Sequence, residues 1–303
     1  MTVLELPTVD TAAPAAAPAP RGRILRRLLR NPLAMAGLVV VVLAVAGALF
    51  ADLVAPYPYA HVDYNATLQP PSGAHWFGTD EHGRDQFSRV LYGLRVSILV
   101  GGLSVMLSMV VGVPLGLLAG FYRILDPLVS RLTDTLLAFP FLVLAVGLYA
   151  ILERSRLGQT LAVATAIIAL GVAQIPAVIR VTRGETLRLR SMDYVAAAVA
   201  DGASDGVVLR RHILPNAFST LIVQGTVAAP AAIIGEAVLS FLGLGARPPT
   251  PSLGIMLASA QPLFRDGPWM AVFPGISIVL LTLALNLLGD GMRDALDPKE
   301  SRR

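Results

Sequence analysis

The chain has 303 residues, 55% hydrophobic and 15% charged, with a net charge of +4 and a mean hydropathy of +0.67. Soluble domains carry about a quarter charged residues, so this composition excludes an ordinary water-soluble domain and points to a membrane protein. There is no cysteine, which excludes disulfides, thiol nucleophiles and thiolate metal sites; the single lysine, Lys299, lacks the Gly-Lys-Ser/Thr setting of a nucleotide-cradling loop.

Residues 1–20, with the run TAAPAAAPAP, offer too little side chain to build a core and are expected to form a disordered tail. Residues 21–31, RGRILRRLLRN, form a basic amphipathic piece that serves either as a topology signal or as a contact for anionic lipid. The apolar run at 33–55 is too long for a signal-peptide core and lacks a small-residue cleavage site, so it is predicted to stay as a membrane anchor. Five further spans are predicted at 96–121, 133–152, 158–179, 218–242 and 270–288. The expected fold is therefore all-α, with six transmembrane helices.

Basic residues are unevenly placed. Arg21 to Arg30, Arg123, Arg131, the six arginines from Arg180 to Arg211, and Arg293 with the residues after it fall on one side of such a six-span chain. The other side holds only Arg84, Arg89, Arg95, Arg154, Arg156, Arg247 and Arg265. The positive-inside rule then places both termini and the polar segment 180–216 in the cytoplasm, and the same unevenness argues for topology rather than nucleic-acid binding. Glycines and prolines inside the spans, among them Gly101, Gly112, Pro114, Gly116, Pro140, Pro176 and Pro230, suit helices that pack closely and bend within a bundle.

The segment 180–216 organises the rest. Within it SMDYVAAAVADGA reads as a short alanine-rich helix, with Ser191 and Asp193 as N-cap and first-turn acid. Gly202 supplies the positive-φ turn that ends it; a second short amphipathic stretch covers 207–213, and Pro215 opens the next apolar run. A helix with so little side-chain bulk can seat closely in a groove on another protein. Joined rigidly to a span, it would transmit a push into the membrane.

The spacing Ala196-Ala197-Ala198, Gly202, then His212-Ile213-Leu214-Pro215 resembles the EAA loop of bacterial ABC importer permeases, the segment that docks into the ATPase subunit. That family usually has Glu at the first position. Here it is Ala196, which removes a charge from the docking helix. The resemblance assigns ATPase coupling to Asp193, Tyr194, Ala196, Ala197, Ala198, Gly202, Ala203, His212 and Pro215.

Between the first two spans the chain reads HWFGTDEHGRDQFSRVLYGLRVS. His75, Asp80, Glu81, His82 and Asp85 could form a metal or acid–base cluster. The alternative is a polar lead-in to the second span, with glycine turns and an Arg84–Asp85 pair at the helix start. The pattern Gly78-Thr79-Asp80, Gly83-Arg84-Asp85, Ser88-Arg89, Gly93 and Arg95 closely resembles the hallmark of the C-type permease of dipeptide, oligopeptide and nickel importers, which favours that alternative. Similar matches occur in DPLVSRLTDTLLAFP, in SFLGLG followed by PPTP, and in the C-terminal run ending at Pro298, so the resemblance extends from Arg30 to Lys299.

Two acids, Asp134 and Glu236, fall in predicted spans. Such residues mark either ion or substrate contacts or interhelical or interfacial hydrogen bonds near a span end. The resemblance implies a type I ABC importer permease fold: a tail at 1–20, a basic segment, first span and extracytoplasmic loop at 21–95, a five-helix core at 96–290 with a coupling loop at 183–216, and a cytoplasmic tail at 291–303. It further implies a bacterial plasma-membrane subunit with no catalytic site, cofactor or metal of its own. Its partners would be a homologous B-type permease, two ATPase subunits that bind ATP and Mg, an extracytoplasmic solute-binding protein and the lipid bilayer, with no nucleic acid. Peptides are the expected cargo, nickel or another small solute is an alternative, and an ion-coupled secondary transporter is the rival class.

Overall fold

The computed structural model describes residues 21–154 and 162–296. The expected tail at 1–20, the start of the predicted fourth span and the end of the C-terminal tail lie outside the described residues. Among the described residues all regular structure is helical, apart from an isolated antiparallel bridge between Thr79 and Asp85. In chain order the principal helices are α1 (Arg21–Arg30), α2 (Pro32–Leu49), α3 (Gln86–Phe121), α4 (Asp126–Leu137), α5 (Phe141–Glu153), α6 (Ala162–Arg190), α7 (Asp193–Ala200), α8 (Leu214–Phe241), α9 (Leu253–Ala260) and α10 (Trp269–Leu296).

Helix starts follow local chemistry. The Asn31 side chain accepts from the Leu33 and Ala34 amides, and Pro32 occupies the first turn of α2, where no backbone donor is needed. Asp85 caps α3 through the Ser88 amide. Arg95 donates to the Ala48 and Leu49 carbonyls and pairs with Asp52, so a guanidinium closes the C-terminal end of α2.

Five helical stretches are long and apolar enough to cross a membrane: α2, α3, α6, α10, and the stretch Asp205–Phe241 that contains α8. The predicted span at 133–152 is not one straight helix. α4 and α5 are bent by 96° to each other, and they make a sixth span only if the pair is counted as one. Pro140 lies at the break, where it lacks a backbone donor and takes an extended ψ of 134°.

The main packing seam joins α3 to α6 and depends on absent side chains. A Cβ at Gly112 would lie 2.8 Å from the Val178 Cβ, one at Gly116 2.6 Å from the Thr182 Cβ, and one at Gly120 2.6 Å from the Thr186 Cβ. Glycines four apart on α3 thus receive side chains four apart on α6, and the backbones close up without the water-driven hydrophobic term that soluble cores use. Towards the other end of the seam the buried Ser104 donates to the Ile167 carbonyl of α6, while a Cβ at Gly101 of α3 would lie 2.8 Å from the Ile233 side chain of α8. The α2–α10 contact uses the same device, with Gly37 facing the Ala284 carbonyl and Gly291 facing Ala34.

Candidate functional site

α6 continues to Arg190, so the candidate docking segment leaves the bundle on a rigid helix rather than on a loop. α7 begins after Met192, whose extended backbone (ψ 145°) makes it the N-cap without a side-chain cap. The expected capping role of Ser191 is not what occurs: its hydroxyl donates to the Arg188 carbonyl, which closes the end of α6 instead. Asp193 occupies the first turn of α7, as its position suggests. At the other end the Gly202 amide bonds the Val199 carbonyl and the Ala203 amide bonds the Ala198 carbonyl, with Gly202 at φ +84°. These paired bonds form a Schellman termination, which requires a left-handed residue where Gly202 stands.

The stretch after Ser204 is helical without a gap into α8. Asp205–Val207 forms one turn, and Val208–Ile213 winds as a π-helix in which the Leu214 amide reaches back to the Leu209 carbonyl. Pro215 lacks an amide to continue the ordinary ladder, and the wider turn accommodates it. His212 enters through its backbone: its carbonyl accepts from the Asn216 side chain at 2.6 Å, with the Tyr194 hydroxyl at 3.5 Å. Burial pushes the Tyr194 phenol above its usual pKa.

α7 has two faces. Val195 is 2% exposed and packs with Phe121 of α3, Leu189 of α6, and Val208, Ile213, Ala217 and Leu221 leading into α8. Burial of one such side chain stabilises by about 1.5–3 kcal/mol, so the cluster fixes α7 against three membrane helices at once. Ala196, Ala197, Val199 and Ala200 are exposed on the other face. Arg190 reinforces the joint, donating to the Phe121 carbonyl at 2.8 Å and lying over the Phe121 ring. Val195, Arg190 and Phe121 are not among the residues the resemblance assigns to coupling; the valine inside an alanine run is the available signal for the buried side.

On the opposite side of the bundle, the 78–89 motif folds into a compact cap. Asp80, 2% exposed, accepts from the His82 and Arg84 amides at 2.9 Å and from Arg84 Nε at 2.6 Å, and Arg89 approaches it at 3.7 Å. Asp85 accepts from the Ser88 amide and hydroxyl and faces His75 Nδ1 at 2.9 Å. The expected Arg84–Asp85 pair is therefore replaced by Arg84–Asp80, because the Asp85 carboxylate points along α3 to cap it. Gly83 (φ +70°) lies so close to the Asp63 carbonyl that a Cβ would fall 1.8 Å from its oxygen; at Gly78 (φ +73°) a Cβ would meet the Gln69 carbonyl at 2.6 Å and the Trp269 ring. Thr79 is fully buried, bonds the Gln69 amide through its hydroxyl, and takes the Trp269 indole N–H on its carbonyl at 3.0 Å. Ligand atoms of Asp80, Glu81 and His82 do come within 4.8 Å of one another, but both Asp80 oxygens are occupied inside the turn.

The two acids in predicted spans part company. Glu236 is 1% exposed and accepts from Ser97 Oγ at 2.6 Å and Ser240 Oγ at 2.7 Å, an interhelical hydrogen bond between α8 and α3. Asp134 is not buried: it lies on α4 with a side chain 67% exposed and pairs with Arg180 at 2.7 Å. Asp126 at the start of the same helix takes both Arg183 nitrogens, so two ion pairs fasten α4 to the lower part of α6.

Residues 112–302 match the family described as binding-protein-dependent transport system inner membrane component, and residues 20–71 match the N-terminal transmembrane domain of oligopeptide transport permease C. The chain belongs to this transport permease family. The permease is 42% identical to the dipeptide transport system permease protein DppC of Alkalihalophilus pseudofirmus over 90% of this chain and 88% of that protein. It is 43% identical to the glutathione transport system permease protein GsiD of Pectobacterium atrosepticum over 90% and 89%, and equally identical to GsiD of Escherichia coli O157:H7. A solved chain of the MetNI methionine ABC transporter, from inward-facing crystals, shares its fold at a TM-score of 0.59 and 19% identity, over 69% of the permease and 96% of that chain. The permease is thus a multi-pass, all-α membrane protein with an ABC importer permease fold.

Proposed function

We propose that this permease forms half of the path by which an ATP-driven importer carries di- or oligopeptides, or a related small solute, across the bacterial plasma membrane. Relatives named for dipeptide and for glutathione transport support a peptide cargo. A second, homologous permease supplies the other half, two ATPase subunits sit below, and a solute-binding protein delivers cargo from outside. ATP and Mg bind on the ATPase subunits, and this chain contributes no catalytic site or cofactor. Both termini lie in the cytoplasm.

The observation that carries the reading is the division of α7 into a buried face and a bare one. Val195 locks the helix to α3, α6 and α8, while Ala196, Ala197 and Ala200 leave its outer side open to close approach. Seated in a groove of the ATPase, α7 moves with that groove, and the rigid joint passes the movement to three helices together. The nucleotide then shifts the permease between inward and outward access because it binds the two arrangements of the assembly differently. An ion-coupled mechanism has less support, since Glu236 is occupied by two serines and Asp134 is paired outside the bundle.

The test replaces an exposed alanine, Ala197→Trp, and separately the helix stop, Gly202→Pro. Both variants should reach the membrane at normal levels, while the ATPase subunits no longer co-purify and uptake stops. Normal assembly and transport by Ala197→Trp would remove α7 as the coupling element.

A further inference from the structure

Beside α7, on the side facing the end of α3, lies an open cleft of about 550 Å³ bounded by Phe121, Arg123, Arg190, Ala196, Val199 and Asp205. A second cleft of about 510 Å³ adjoins it, and Arg123 and Arg190 line both. Both arginines therefore contribute to the lining of both clefts. Arg190 is held in place by the Phe121 carbonyl and ring. Arg123 is exposed and makes no ion pair among the described residues. Of the acids, Asp126 lines the second cleft and is taken by Arg183, and Asp205 alone lines the cleft at α7. Ala196 adds no charge and leaves the space open. The cleft is continuous with the exposed Val199, which is 55% exposed on a face that the proposed orientation turns away from lipid.

We infer that this notch receives a carboxylate side chain from the ATPase subunit, bound between Arg123 and Arg190 next to Ala196. The inference rests on the docking role proposed for α7 and specifies what the partner brings. Two cations against one acid make the lining of this cleft net positive. A guanidinium that donates to a carboxylate makes a charge-assisted hydrogen bond, about twice as strong as a neutral one, and Arg190 is already held in place by Phe121. Neutral Ala196 matters twice: it makes room, and it adds no second carboxylate to compete for the arginines.

The experiment uses the complete permease pair and its ATPase in a neutral detergent, where no anionic headgroup is present. Arg123→Gln should weaken ATPase association about 3–10-fold and flatten its dependence on salt, and Arg123→Glu should weaken it about 10–100-fold. A second arm exploits the single lysine of the chain. In a Lys299→Arg background, Arg123→Lys introduces one side-chain amine, and carbodiimide, which joins amines to carboxylates without a spacer, should link it to an Asp or Glu of the ATPase. Unchanged affinity and salt slope in Arg123→Glu, or links confined to Asp126 and Asp205 of this chain, would overturn the notch while leaving α7 docking intact. An effect of Arg123→Gln seen only after anionic lipid is restored would assign the arginines to headgroup phosphates instead. Failure of the unaltered permease to bind the ATPase at all would sink both readings.

Discussion

Ser97 and Glu236 lie 139 positions apart and share a buried hydrogen bond of 2.6 Å, which joins α3 to α8 inside the bundle. Ser240 holds the other carboxylate oxygen at 2.7 Å. Glu236→Gln keeps an acceptor and adds a donor for these serines, so assembly should persist and uptake should stay within about 3-fold. Glu236→Ala removes the acceptor and leaves a cavity, and should lower stability by about 1–3 kcal/mol, read as thermal unfolding of the solubilised complex. Uptake abolished in a fully assembled Glu236→Gln complex would instead show that the ionisable carboxyl itself is used.

The α3–α6 seam yields a sharp contrast between glycines. Gly116→Ala places a methyl 2.6 Å from the Thr182 Cβ and should destabilise by about 1–3 kcal/mol through overpacking. Gly102 on the same helix has nothing within 4 Å of its Cβ position, so Gly102→Ala should be neutral or stabilising by up to about 1 kcal/mol. Equal unfolding temperatures for the two variants would contradict the close seam.

In the cap before α3, Gly83→Ala meets both a positive φ and the Asp63 carbonyl. The turn that carries Asp80 must open, and the segment before α3 should become sensitive to added protease in intact vesicles. Gly73→Ala, with open space around it, should leave the cleavage pattern unchanged.

The Asp126–Arg183 pair ties α4 to α6, with side chains 29% and 32% exposed. Asp126→Asn and Arg183→Gln should each loosen α4, and a double-mutant cycle on unfolding should give a coupling of about 1 kcal/mol or less, shrinking with salt. Zero coupling at low ionic strength would mean that the pair does not hold the two helices.

At the end of α7, Gly202→Ala has room for its methyl but not the backbone preference. The cost should be about 1–2 kcal/mol, confined to α7 and visible as faster amide exchange at positions 202 and 203. A milder loss of uptake than in Gly202→Pro is expected, since the alanine retains the amide bonded to Val199.

Much of this protein was legible in one dimension. Apolar runs long enough to span a bilayer, the alanine run ending at Gly202, and the glycines at 78 and 83 each report a demand that operates within a few residues: hydrophobic length, helix propensity, or a positive φ. The structure departs from the sequence reading where a side chain had a choice of partners. Ser191 could cap α7 or close α6, and Asp85 could pair with Arg84 or cap α3; the packing of the assembled chain settled each one. The bend at Pro140 belongs to the same class, since a proline within an apolar run permits a kink but does not set its angle.

The amino-acid order alone determined that the chain enters the membrane several times, which segments are helical, and that a small-residue helix interrupts the spans, because these follow from local hydrophobicity and backbone preference. Only the tertiary structure decided that Val195 turns inward to join α3, α6 and α8, that three glycines of α3 receive α6, and that Arg123 and Arg190 line the same clefts. Those outcomes depend on which surfaces remain after helices far apart in the chain have packed, and close packing is a property of pairs of elements rather than of any one of them.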